Sequence, residues 1–179
     1  MIRNSMVFGL GAMIALAMGW LAFPRVLYDR QQQPLEFRHR FHAEKSGTSQ
    51  CGECHPINQD GAFAGIPRQE ACATCHADRL GSSPAEARLV DGYIKKGREV
   101  AWLVEYRQPA NVWFSHAIHT QRAKLACKEC HGDYGETDRQ VVYQQNRISG
   151  YSRRTMDMST CEDCHHKRKV ETGCLSCHQ

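Results

Sequence analysis

Five times in this sequence, two cysteines three positions apart are followed at once by histidine: Cys51-Gly52-Glu53-Cys54-His55, Cys72-Ala73-Thr74-Cys75-His76, Cys127-Lys128-Glu129-Cys130-His131, Cys161-Glu162-Asp163-Cys164-His165 and Cys174-Leu175-Ser176-Cys177-His178. The pairs take up all ten cysteines, so none is left for a disulfide. The spacing has a chemical reason. Two thiols so placed form thioethers with the two vinyl groups of one porphyrin, and the adjoining imidazole lies under the iron. The rival reading is zinc, for which Cys-x-x-Cys is half of a tetrahedral site. Zinc does not require histidine after every second cysteine, and four-cysteine sites would consume pairs two at a time and leave one over. The residues therefore imply five haem c, with His55, His76, His131, His165 and His178 as proximal ligands.

Covalent cofactors also answer a problem of composition. Bulky apolar residues are few after position 36 of this 179-residue chain. Such a chain needs apolar volume from another source to hold a core. The expected fold is mainly α and irregular: short helices and loops wrapped on haems, an N-terminal transmembrane helix, and little or no sheet. The formal charge of +4 does not point to nucleic acid. Two propionates and a ferric core give each haem a charge of about −1, so five bring the total to about −1 oxidised and about −6 reduced.

Ser5 to Phe23 carry no charge, and about 19 apolar residues just span a bilayer. Trp20, Phe23 and Tyr28, with Arg25 and Arg30, resemble an interfacial border. The alternative is a cleaved signal peptide, for which Ala17-Met18-Gly19 offers a small-residue site. The run continues past that site through Trp20 to Phe23, which favours a retained anchor. Arg3 before the segment against Arg25 and Arg30 after it argues against export by the positive-inside count. Haem attachment to this motif occurs outside the cytoplasm and overrides that count. The expected location is a bacterial cytoplasmic membrane with the haem domain on the periplasmic side. Gly11, Ala15 and Gly19 form a small-residue ridge suited to a partner helix, although small residues are common in such helices.

Five histidines lie outside the motifs: His39, His42, His116, His119 and His166. Their number matches the irons, which points to bis-histidine ligation throughout. Four sit in a repeated pattern, Phe-x-His-x-x-His, at Phe37 to His42 and Phe114 to His119. On a helix, histidines three apart share a side and reach two neighbouring haems, with the phenylalanine free to pack on a porphyrin edge. Met156 and Met158 precede Cys161 and are alternative axial ligands that would raise a potential; apolar filling near a haem is the plainer reading.

The repeat divides the chain into an anchor or signal helix over 1–30, a dihaem module over 35–80, a helical linker over 81–111 and a trihaem module over 112–179. In the linker, Ser83-Pro84-Ala85-Glu86 reads as a capping box with proline at the first helical position. The helix is expected to run to Lys96 and end at Gly97, burying Leu89, Val90, Tyr93 and Ile94. Val100 to Tyr106 reads as a short extended stretch.

The second module resembles the class III cytochromes c, small trihaem and tetrahaem periplasmic carriers that share Phe-x-His-x-x-His followed by Cys-x-x-Cys-His. That resemblance implies that His116 pairs with His131, His119 with His165, and by analogy His39 with His55 and His42 with His76. The family's Cys-x-x-Cys-His-His variant matches Cys164-His165-His166 and implies that His166 pairs with His178. Trihaem members take that ligand from just before a motif, where this chain has Met158. The anchor, the five motifs and the stretch Arg107 to His116 (Arg-Gln-Pro-Ala-Asn-Val-Trp-Phe-Ser-His) are together similar to the membrane-anchored multihaem cytochrome subunit of alternative complex III and of periplasmic menaquinone reductase complexes. This resemblance implies as partners an iron–sulfur/molybdopterin-like subunit, a quinone-binding membrane subunit and a soluble periplasmic cytochrome or other redox carrier.

Three function classes remain. The first is an electron-transfer subunit of a quinone oxidoreductase, not an enzyme by itself. The second is a multihaem reductase of a small oxyanion, which needs one open haem; the haem at Cys174 and Cys177 is the candidate if His166 does not ligate. The third is a free-standing anchored carrier.

Overall fold

The computed structural model describes residues 2–47 and 50–178. The chain forms two compact units. The first gathers residues up to 32, 104–107 and 142–156. Its helix α1 (Ile2–Val26) is long and apolar enough to cross a membrane, and its membrane-length stretch from Asn4 is exposed among the described residues. Pro24 sits in the last turn, and the Arg25 guanidinium donates to the Leu21 carbonyl at 2.9 Å, as suits a cation at a helix C-terminus.

Strand β1 (Tyr28–Gln31) follows directly and pairs antiparallel with β2 (Tyr143–Asn146), Tyr28 opposite Asn146 and Gln31 opposite Tyr143. The Arg147 amide donates to the Leu27 carbonyl at 2.9 Å. Its guanidinium meets Asp29 at 2.9 Å. The turn after β2 is an Asx turn in which the Asn146 side-chain oxygen accepts from the amides of Ile148 and Ser149. This two-stranded ribbon is the whole of the sheet among the described residues, in keeping with a mainly helical and irregular fold.

The second unit holds all five cysteine motifs. Its helices are short: α2 (His39–Ser46), α3 (Cys51–Cys54), α4 (Gln69–His76), α5 (Pro84–Gly92), α6 (Lys128–His131) and α7 (Met158–Arg168). Buried apolar side chains in this unit are few among the described residues: Leu35, Val90 and Val100, with Val90 fully enclosed. Polar clamps supplement them. The Gln33 carboxamide donates to the Leu103 carbonyl at 2.9 Å and accepts from its amide at 3.0 Å. Asp138 accepts from the Phe41 amide and from Arg38 and Arg40, which fastens α2 to the segment after α6.

Three local expectations are corrected. Pro84 opens α5 as expected, but the Ser83 side chain makes no cap and the Glu86 carboxylate reaches back to the amides of Leu80 and Gly81. The α-helix stops at Gly92, because Tyr93 leaves helical geometry; a 3₁₀ turn over Ile94–Lys96 then carries the chain to Gly97, whose φ of 57° ends it. Val100 to Tyr106 forms no strand; its Gln33 clamp replaces strand pairing at Leu103.

Candidate haem-iron centres

The two Phe-x-His-x-x-His segments are built alike. Phe37 stacks on His42 at 4.2 Å between ring centres and stands edge-on to His39 at 4.7 Å. Phe114 stacks on His119 at 4.4 Å and stands edge-on to His116 at 4.9 Å. The phenylalanine thus fixes imidazoles. In both copies the Nδ1–H of the second histidine donates to the carbonyl four residues back, Arg38 for His42 and Ser115 for His119, each at 2.8 Å. The first copy lies on α2. The second starts a π-helical turn, Ala117–Arg122, a form that recurs at functional sites.

A tight turn braces the second copy. The Gly61 carbonyl accepts from the Ala117 amide at 3.0 Å and from the Ser115 hydroxyl at 3.1 Å. The neighbouring Ala62 carbonyl accepts from His116 Nδ1 at 2.7 Å. Gly61 has φ +71°, and a Cβ there would stand 2.9 Å from the Ala117 Cβ, so glycine is required twice over.

Three ring pairs join these histidines to motif histidines. His116 faces His131 at 6.3 Å with planes 4° apart, His119 faces His165 at 6.1 Å and 22°, and His42 faces His76 at 6.2 Å and 56°. A metal–imidazole bond is about 2.0–2.1 Å, so two rings presenting a nitrogen to one metal from opposite sides have centres roughly 6 Å apart. The residues fit a bis-imidazole iron by this measure.

The other ring nitrogens fit as well. Nδ1 donates to a carbonyl at Gly65 for His55 (2.8 Å), Glu171 for His165 (2.9 Å) and Asn111 for His178 (3.1 Å). His76 differs: its partner is the Glu86 carboxylate, at 3.0 Å. Partners that only accept require Nδ1 to carry the proton. Nε2 is then left with the lone pair that a metal takes, and ring orientation is set at the same time. Burial lowers the pKa of His39, with His55 and His42 adding to it, and burial lowers that of His131, with His116 and His55 adding. Both are held as neutral imidazole, the form that ligates.

Thiols of different motifs lie near one another. Burial raises the pKa of Cys72, Cys127, Cys130 and Cys161, and in each case a thiol of another motif adds to it. For Cys72 it is Cys54; for Cys127, Cys51; for Cys130, Cys164; for Cys161, Cys177. Thiols of the first motif thus lie near those of the second and third, and thiols of the fourth near those of the third and fifth.

His166 lies exposed on α7, one position past His165, and belongs to none of the three ring pairs. Met158 begins the same helix and is 61 % exposed; Met156 lies in the other unit, two residues earlier. The motif's reach explains the histidines that sequence alone singles out. The carbonyls of Ala62, Gly65, Asn111 and Glu171 and the carboxylate of Glu86 carry no sequence signal for this role, because a backbone oxygen is available at every residue.

The model of the family described as cytochrome c7 and related cytochrome c matches residues 112–179. The chain is also 40 % identical, over 96 % of its own length and 89 % of the relative's, to the menaquinone reductase multihaem cytochrome c subunit of Nitratidesulfovibrio vulgaris.

Proposed function

Because this chain belongs to the multihaem c-type cytochromes that include the menaquinone reductase cytochrome subunit, we propose that it carries electrons through five covalently bound haems as the cytochrome subunit of a membrane quinone oxidoreductase. A c-type haem supplies a one-electron iron couple whose potential follows its axial ligands and burial. The chain's own residues attach, orient and tune. Cys51/Cys54, Cys72/Cys75, Cys127/Cys130, Cys161/Cys164 and Cys174/Cys177 provide the thioethers. The axial pairs are His39/His55, His42/His76, His116/His131, His119/His165 and His166/His178, with Met158 or Met156 as alternative to His166.

The observation that carries this reading is the three facing imidazole pairs at 6.1 to 6.3 Å. Two axial histidines leave an iron no position for substrate, which favours relay over catalysis and a lower potential than a His/Met pair. The helix α1 anchors the chain in the cytoplasmic membrane and the haem unit stands on the periplasmic side. The chain exchanges electrons there with a soluble carrier and with an iron–sulfur or molybdopterin-like subunit beside a quinone-binding membrane subunit.

Purification from membranes in mild detergent tests the assignment. The cytochrome is expected to elute with further subunits and to be reduced by a menaquinol analogue. Elution as a lone 20.3 kDa polypeptide that a quinol does not reduce would overturn it.

A further inference from the structure

Six hydrogen bonds from histidine Nδ1, those of His42, His55, His116, His119, His165 and His178, end on a neutral backbone carbonyl. His76 alone among these histidines donates to a carboxylate, Glu86, at 3.0 Å. The contact is built. Glu86 Oε1 accepts from His76 and from the Leu80 amide at 2.7 Å, while Oε2 accepts from the Gly81 amide at 2.9 Å. The side chains are only 11 % and 20 % exposed for Glu86 and His76, so solvent screens the pair weakly. Both backbone donors hold the carboxyl below the usual carboxylate range, Leu80 most strongly. Glu86 is fixed by Pro84–Gly92, and His76 closes α4, so the pair is set by two helices.

We propose that Glu86 is a potential-setting residue, which makes His76 a more electron-rich ligand and lowers the reduction potential of the haem at Cys72 and Cys75 below the value a carbonyl partner would give. This rests on the reading that His76 ligates that haem. The physical ground is general. A carboxylate bonded to the far nitrogen of a ligating imidazole draws the Nδ1 proton away from the ring and raises ligand basicity, which favours the more highly charged ferric iron over the ferrous. The neutral oxygens behind the other histidines do this less.

The test compares wild-type complex with Glu86→Gln. Glutamine keeps one oxygen for His76 and the Leu80 amide, gives up the acceptor facing the Gly81 amide, and removes the charge. An EPR-monitored redox titration at fixed pH is expected to show one haem shifted to higher potential and the others unmoved. The shift corresponds to roughly tenfold in the reduction equilibrium, about 59 mV for one electron. Unmoved potentials with full haem content overturn the proposal and leave Glu86 a role in pinning the loop, visible only as lower thermal stability. Should the variant lose haem, the wild-type EPR spectrum decides. One low-spin signal with compressed g-values supports the proposal, and all signals in the ordinary bis-imidazole range overturn it. Mass spectrometry of the Cys72–His76 peptide separates the two layers: no attached haem there overturns the underlying ligation reading instead.

Discussion

At the scale of single residues, function rests on how each imidazole is aimed. The 6.1 Å pair of His119 and His165 makes His119→Ala a specific probe. On the proposed ligation, removing one ring would leave one iron open while the others keep both ligands. We expect one haem to turn high-spin and bind cyanide, measured by absorption and EPR; a wholly low-spin variant would contradict the pairing. Gly61 offers a second probe. Gly61→Ala forces a side chain into φ +71° and onto the Ala117 Cβ at 2.9 Å, a cost of about 1–3 kcal/mol. It should lower the melting temperature and disturb the centre held by His116, which the same turn braces. Residue-level chemistry was the most legible in the sequence, because Cys-x-x-Cys-His and Phe-x-His-x-x-His are local and spell out their own geometry. Glu86 was misread for the same reason. Three residues after Ser83 it completes a capping box on paper, but a histidine ten residues upstream claims the carboxylate.

At the scale of elements, short helices depend on tertiary fastenings, since a helix of α2's eight residues is marginal on its own. Asp138 is the main fastening of α2. Desolvation acts to raise its pKa but is outweighed by the Phe41 amide, Arg38 and Arg40, so the folded value lies below the ordinary one. A carboxylate depressed on folding contributes stability that is present above the unfolded pKa of about 3.9 and lost as pH falls through the folded value. Asp138→Asn should therefore lower the melting temperature at neutral pH and flatten its fall in acid; equal melting curves at pH 7 would contradict this role. Elements were partly legible. Pro84 marks the start of the linker helix because its fixed φ suits the first turn, and Gly97 marks the end of the following 3₁₀ turn because glycine takes φ 57° without strain. The β1–β2 ribbon was not legible, since Tyr-Asp-Arg-Gln and Tyr-Gln-Gln-Asn show no clean apolar alternation and pair only through partners far along the chain.

At the scale of the whole molecule, the central features are the attachment sites and an apolar helix whose membrane-length stretch is exposed among the described residues. Replacing residues 2–26 by a cleavable export signal should release the protein from membranes with its haem content intact, seen by fractionation; retention on the membrane would contradict anchoring by α1. The claim that unites these scales is that every motif carries a haem and every iron has two axial side chains. The most direct measurement is haem per polypeptide by pyridine haemochrome, combined with the spin state of the oxidised wild-type protein. The account predicts about five haem c per chain, all low-spin and unchanged by cyanide. Four or fewer haems, or one high-spin haem in the wild type, would contradict it.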